Sequence, residues 1–122
     1  MKATDFCTVI TTTDNEENAE LITRTLLEEQ LAACVQKMRI QSAYRWKGQV
    51  ISADEFRLDI KTKKTLLEAL KKRIARLHTY DVPEILIYTM DDANEEYLRW
   101  LDEETQRTSL EEHPDADLWH NG

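Results

Sequence analysis

The sequence predicts a mixed α/β fold of the α+β kind, with one antiparallel sheet, two helices on one face and an extra C-terminal helix. Three observations predict it. Strand-period and helix-period patterns follow one another in the order β-α-β-β-α-β. A Lys47-Gly48 turn separates two extended stretches, which makes them a hairpin. At 122 residues, 41% apolar and 33% charged, the chain has the size and balance of one globular domain.

Phe6-Cys7-Thr8-Val9-Ile10-Thr11 is a β-branched run and reads as the first strand, ended by Thr12-Thr13-Asp14-Asn15. Asp14 and Glu17 have capping-box spacing, in which side chains satisfy the first free N–H groups of a helix. Ala19, Ile22, Leu26 and Leu27 then recur at helical spacing and predict a helix over 15–30. From Cys34 to Lys47 there is no helical stripe, and Tyr44 and Trp46, two apart, share one face of a strand. Past the turn, Phe56, Leu58 and Ile60 alternate with Arg57, Asp59 and Lys61, the mark of a half-buried strand. The hairpin is too long for so small a domain to cover, and an uncovered edge invites pairing with another chain. Oligomerisation is therefore expected from the residues alone.

Thr65 and Glu68 repeat the capping-box spacing, and Leu66, Leu70, Ile74 and Leu77 form the stripe of a second helix. Val82-Pro83 blocks its continuation, because proline lacks an N–H and pushes its predecessor out of helical space. Ile85 to Met90 is apolar on both alternating faces, the pattern of a central strand. Tyr97, Leu98 and Leu101 mark a third helix starting near Asn94. The simplest fold with this order is the split βαβ, or ferredoxin-like, arrangement.

The net charge of −8 is uneven, with −9 in residues 91–122. An acidic chain lacks the basic footprint that phosphates require, so no nucleic-acid partner is expected. Lys71, Lys72, Arg73 and Arg76 read as the wet face of the second helix. No apolar run reaches the ~20 residues of a membrane span, and no secretory leader opens the chain, so cytoplasm is the expected compartment. Cys7 and Cys34 lack CxxC spacing and read as packed free thiols. Two glycines leave no phosphate-cradling loop, and no nucleophile stands beside a base, so enzymatic activity is not expected. The acidic stretch 105–122, with Pro114, reads as a flexible tail on a domain spanning 1–104.

Five segments carry a more specific signal. Glu28-Glu29-Gln30-Leu31-Ala32-Ala33-Cys34-Val35 resembles the E-x-LAAC-V signature of the CutA divalent-cation-tolerance family. Ser42-Ala43-Tyr44-Arg45-Trp46-Lys47-Gly48 is similar to its S-x-Y-x-W-x-G hairpin, and Ile60-Lys61-Thr62 to its I-K-T strand end. His78-Thr79-Tyr80-Asp81-Val82-Pro83-Glu84 resembles its H-P-Y-x-x-P-E segment, and Tyr97 to Leu101 its closing Y-L-x-W-L. The resemblance implies a homotrimer in which hairpin strands extend neighbouring sheets. It also implies a role in tolerance of divalent metal ions, copper among them, and an intersubunit cleft lined by Tyr44, Trp46, Lys61 and Glu84. Each of these has a packing reading too, with the aromatics filling an interface and Lys61 pairing with Glu84.

Copper in some members of that family is assigned to a cysteine at the end of the first strand and two adjacent histidines. The matching positions here are Thr11 and Leu77-His78. His78 is thus the candidate metal ligand, with Glu84 six residues on as an oxygen donor and His113 and His120 in the tail as adventitious sites. The competing reading makes His78 a hydrogen-bonding residue before a turn. Two further departures are Met38 to Gln41, where the family carries I-P-G, and Lys47, where it carries an acidic residue. Two other functions stand beside the metal role. One is a signalling module of the PII group, binding a small ligand or nucleotide between subunits, with Thr12-Thr13 and Lys61 as phosphate contacts by fold analogy. The other is a small enzyme using Lys61 and Glu84.

Overall fold

The computed structural model describes residues 1–107. Its elements are β1 (Phe6–Thr13), α1 (Glu16–Glu28), β2 (Cys34–Trp46), β3 (Gln49–Lys63), α2 (Leu67–Leu77), β4 (Leu86–Thr89) and α3 (Glu95–Glu103), with single 3-10 turns at Ala3–Asp5 and Lys64–Leu66. The strands lie in the order β2-β3-β1-β4, every adjacent pair antiparallel. This is the ferredoxin-like arrangement that the element order predicts. Among the described residues, no helix is long and apolar enough to cross a membrane.

Period-two alternation sorts the sheet into two faces. Cys7 and Val9 of β1 and Leu58 and Ile60 of β3 point to the helices, where Ala19, Ile22 and Leu26 of α1 and Leu70 and Ile74 of α2 complete the core. A smaller cluster on the opposite face joins Phe6 to Leu98 and Leu101 of α3. It covers only one end of that face. The rest stays open.

Several boundaries differ from the expected ones for local reasons. Asn15, not Asp14, caps α1, its side chain accepting the Asn18 N–H at 2.9 Å. The helix ends at Glu28 rather than residue 30, because Gln30 takes a left-handed conformation with φ 57°. Thr65 opens no capping box, since a 3-10 turn occupies Lys64–Leu66 and α2 begins at Leu67. The wet-face reading of α2 holds for Arg73 and Lys71, which pair with Glu29 and Glu68. Packing also runs past residue 104. Thr105 is buried, and Gln106 donates its backbone N–H to the Gln30 carbonyl at 2.8 Å. The remainder of the expected tail, with His113 and His120, lies outside the described residues.

The largest difference concerns β4. Its apolar pattern predicts a central, doubly covered strand, yet it sits at the sheet edge with all four residues exposed, Tyr88 by 55%. The hairpin shows the same excess. β2 and β3 pair from Cys34↔Lys61 to Trp46↔Gln49, but β1 reaches only Phe56 of β3. Seven register pairs, from Ile40↔Glu55 outward, therefore project beyond the sheet by roughly 20 Å. Lys47 and Gly48 turn the hairpin, both at positive φ.

Candidate functional site

The open face of the sheet forms a groove of about 880 Å³. Its floor is Thr8, Ile10 and Thr12 of β1. Register places Asp59 and Leu86 on either side of Ile10, and Arg57 beside Thr12. One wall is the projecting hairpin, with Tyr44, Trp46 and Glu55, and the other is the segment between α2 and β4, with Tyr80, Asp81 and Glu84.

That second wall is held by polar contacts which the sequence places at the end of α2. His78 leaves the helix in an extended conformation, so its ring turns back toward β1. Its Nε2 donates to the Thr12 carbonyl at 2.8 Å, and its Nδ1 accepts the Tyr80 N–H at 3.0 Å. Asn18, also buried, donates to the Leu77 carbonyl at 2.9 Å and accepts from the Thr13 hydroxyl at 3.0 Å. Together these tie α1, β1 and the end of α2 into one frame. The ring of Tyr80 then reaches across to the hairpin, where its hydroxyl donates to Glu55 at 2.7 Å. Burial first, and then this bond, raise the Tyr80 phenol above its ordinary range. Tyr80 also explains why Glu55, on an otherwise projecting strand, is only 6% exposed.

The groove is acidic. Glu55, Asp59, Asp81 and Glu84 face one guanidinium, Arg57. Arg57 already bonds to Asp59 at 2.7 Å, and that bond holds its proton more firmly than usual.

Of the four residues expected in a cleft, Tyr44, Trp46 and Glu84 line this groove, whereas Lys61 does not. Lys61 shares the open face but lies 5.6 Å over the ring of Tyr97, toward α3. No Lys61–Glu84 ion pair forms among the described residues. The metal candidates do not gather either. Both ring nitrogens of His78 are committed to backbone groups, Thr11 offers only a buried hydroxyl, and Cys7 is buried in the core. Among the described residues, no three His, Cys, Asp or Glu side chains are arranged to hold a metal ion. Within one chain, this donor set does not fit a copper site. Sequence reasoning missed Tyr80, Glu55, Arg57 and Asp59 as lining residues. The alternation Arg57, Asp59, Lys61 was the available signal, but the polar side of a strand reads as solvent-facing unless its neighbours are known.

Comparison with known proteins bears on this geometry. Residues 7–104 match the family described as CutA1 divalent ion tolerance protein. The chain belongs to that family. A divalent-cation tolerance protein CutA from Pyrococcus horikoshii is 43% identical over 99 residues, covering 81% of this chain and 97% of that one. The counterpart from Thermus thermophilus is 43% identical over 98 residues, covering 80% and 95%. The crystal structure of CutA1 from Pyrococcus horikoshii superposes with a TM-score of 0.81 at 42% identity, over 83% of this chain and 99% of that one. A periplasmic CutA from Archaeoglobus fulgidus gives 0.81 at 31% identity, over 83% and 99%. The matches favour the CutA reading over the PII-like one.

Proposed function

We propose that the protein is a homotrimeric, non-enzymatic member of the CutA family, acting in divalent-ion tolerance through clefts formed between subunits. The observation that carries the assembly is the seven-pair overhang of the hairpin. Alone it exposes Val50 and Trp46, and β4 exposes Leu86, Ile87 and Tyr88 at the opposite edge. A projecting ribbon and a short apolar edge strand on the same molecule satisfy each other between copies, and they are a liability in a monomer. In such an assembly the open groove, with Tyr44, Trp46 and Glu84, becomes the floor of the cleft. Any divalent cation is then held by carboxylates such as Glu84 from more than one subunit, while His78 braces the wall. Two free cysteines with no disulfide fit a reducing compartment, in keeping with the cytoplasm.

Native mass measurement tests the assembly. At micromolar concentration the full chain is expected at three times 14.3 kDa. Replacing residues 43–52 by a two-residue turn is expected to give a folded monomer. A parent protein that runs as a monomer, or a shortened one that remains trimeric, overturns the assembly. Titration of the trimer with Zn(II) and Cu(II) tests the ion: Glu84→Gln is expected to weaken binding and His78→Ala to leave it unchanged.

A further inference from the structure

The hairpin leaves the sheet at one register pair, Ile40↔Glu55, because the pairing of β1 with β3 ends at Thr13↔Phe56. From there to Trp46↔Gln49 the two-stranded ribbon runs roughly 20 Å. A swing of ~15° at its base displaces the tip by about 5 Å, which is the full spacing between paired strands. Two-stranded ribbons also twist more than wider sheets do. Length alone therefore does not aim the hairpin at a neighbouring copy. Contacts at its base must fix the angle.

Polar contacts meet that base on both faces of the sheet. On the helix side, the Lys37 ammonium of β2 pairs with Glu16 at 3.2 Å and Glu20 at 2.9 Å, both on α1. Those carboxylates are 64% and 53% exposed, and ion pairs so open to water hold little. On the groove side, the Tyr80 hydroxyl donates to Glu55 at 2.7 Å, and Glu55 is buried although its strand projects. A hydrogen bond to a buried carboxylate is a strong one. Without its donor, the carboxylate regains water only by swinging the hairpin outward. The other end of the contact is rigid, since the Tyr80 N–H is held by His78 and His78 by the Thr12 carbonyl of β1.

We infer that the Tyr80–Glu55 bond is a clasp that sets the angle of the hairpin and thereby governs assembly, with Tyr80 as its positioning residue. This deepens the assembly reading above and rests on it. In a folded monomer without the clasp, the hairpin swings free and Glu55 hydrates. In the trimer the ribbon is committed to its neighbour and cannot follow. Losing the bond therefore weakens the trimer relative to the folded monomer, once for each hairpin. A buried bond elsewhere in the core is shared by both forms, and its loss leaves their ratio unchanged.

Native mass over a dilution series of the full-length protein, in enough urea for the parent to show both trimer and compact monomer, tests this. Tyr80→Phe keeps the ring and removes the donor, and is expected to raise the concentration of half-dissociation at least about tenfold. Glu55→Ala breaks the bond from the other side and is expected to raise it at least about fivefold, so the test stands if one variant misfolds. Glu55→Gln retains an acceptor oxygen for Tyr80 and is expected to stay within about twofold of the parent. Thr62→Val, at the other end of β3, removes a buried bond to the Leu31 carbonyl at 2.7 Å. It is expected to lower the melting temperature and to leave half-dissociation within about twofold. Circular dichroism checks that each variant is folded. Tyr80→Phe and Glu55→Ala dissociating at the parental concentration, or Thr62→Val shifting it as far as they do, overturns the clasp. Glu55→Gln dissociating as readily as Glu55→Ala overturns it too, because the charge and not the bond would then matter. A parent that stays monomeric sinks the assembly reading itself, whereas a trimeric parent indifferent to Tyr80→Phe sinks the clasp alone.

Discussion

Replacing His78 by alanine separates its two roles. The substitution removes the Nε2 bond to the Thr12 carbonyl and the Nδ1 acceptor of the Tyr80 N–H. Each bond contributes about 0.5–1.5 kcal/mol net, and leaving a half-buried carbonyl and an N–H without partners adds ~1 kcal/mol more. The ring also packs 4.8 Å from that of Tyr80, and its loss leaves a small void beside the wall. The total is about 2–4 kcal/mol. For a domain near this size, 1 kcal/mol corresponds to roughly 4–8 °C in melting temperature, so a fall of about 10–20 °C is expected. Protomer concentration must be held fixed in the melts, because dissociation of an oligomer makes the midpoint concentration-dependent. His78→Asn places an amide oxygen near the Nδ1 position and is expected to recover about half the loss. Cation titration of the same variants supplies the second axis. A variant that melts within about 2 °C of the parent but no longer binds cations would make His78 a ligand and refute its bracing role.

Two further outcomes follow from single residues. Burial raises the Cys7 thiol to about 11. Its unfolded counterpart ionises near 9.0, so the folded chain holds more protons in between and stability falls as pH rises through that window. Denaturant midpoints are expected to drop between pH 9 and 11 by an amount equivalent to about 2–3 kcal/mol. Cys7→Ala, though less stable throughout, is expected to remove that part of the slope, and an unchanged slope would place its origin elsewhere. At the hairpin tip, Lys47 takes φ 49° and Gly48 φ 79°, the pattern of a two-residue turn that asparagine and glycine prefer. Lys47→Asn is expected to stabilise by about 0.5 kcal/mol, and Gly48→Val to destabilise by ~1–2 kcal/mol. Paired chemical-denaturation curves check both signs.

Much of this fold was legible because it is local. β-branched runs, helical stripes and Val82-Pro83 are decided by backbone sterics and side-chain period, so the element order and the ferredoxin-like sheet follow from residues read one segment at a time. The overlong hairpin was visible too, since strand length is written directly in the pattern. The five family segments fixed the lineage before any coordinates, and Tyr44, Trp46 and Glu84 were named from them. Other features depended on what each residue meets across the sheet. The apolar run of β4 has the same pattern at the centre of a sheet and at an edge awaiting a neighbour, and only strand order distinguishes the two. Lys61 shares its motif with the cleft residues but leans toward Tyr97, because α3 covers that end of the face. For His78 the sequence favoured a hydrogen-bonding role over a ligand role, and the structure shows both of its nitrogens with backbone partners. Glu55 and Tyr80 stand 25 residues apart and meet at 2.7 Å. Periods in the sequence report which face of an element is apolar, whereas the groove exists only where faces of four segments are brought together.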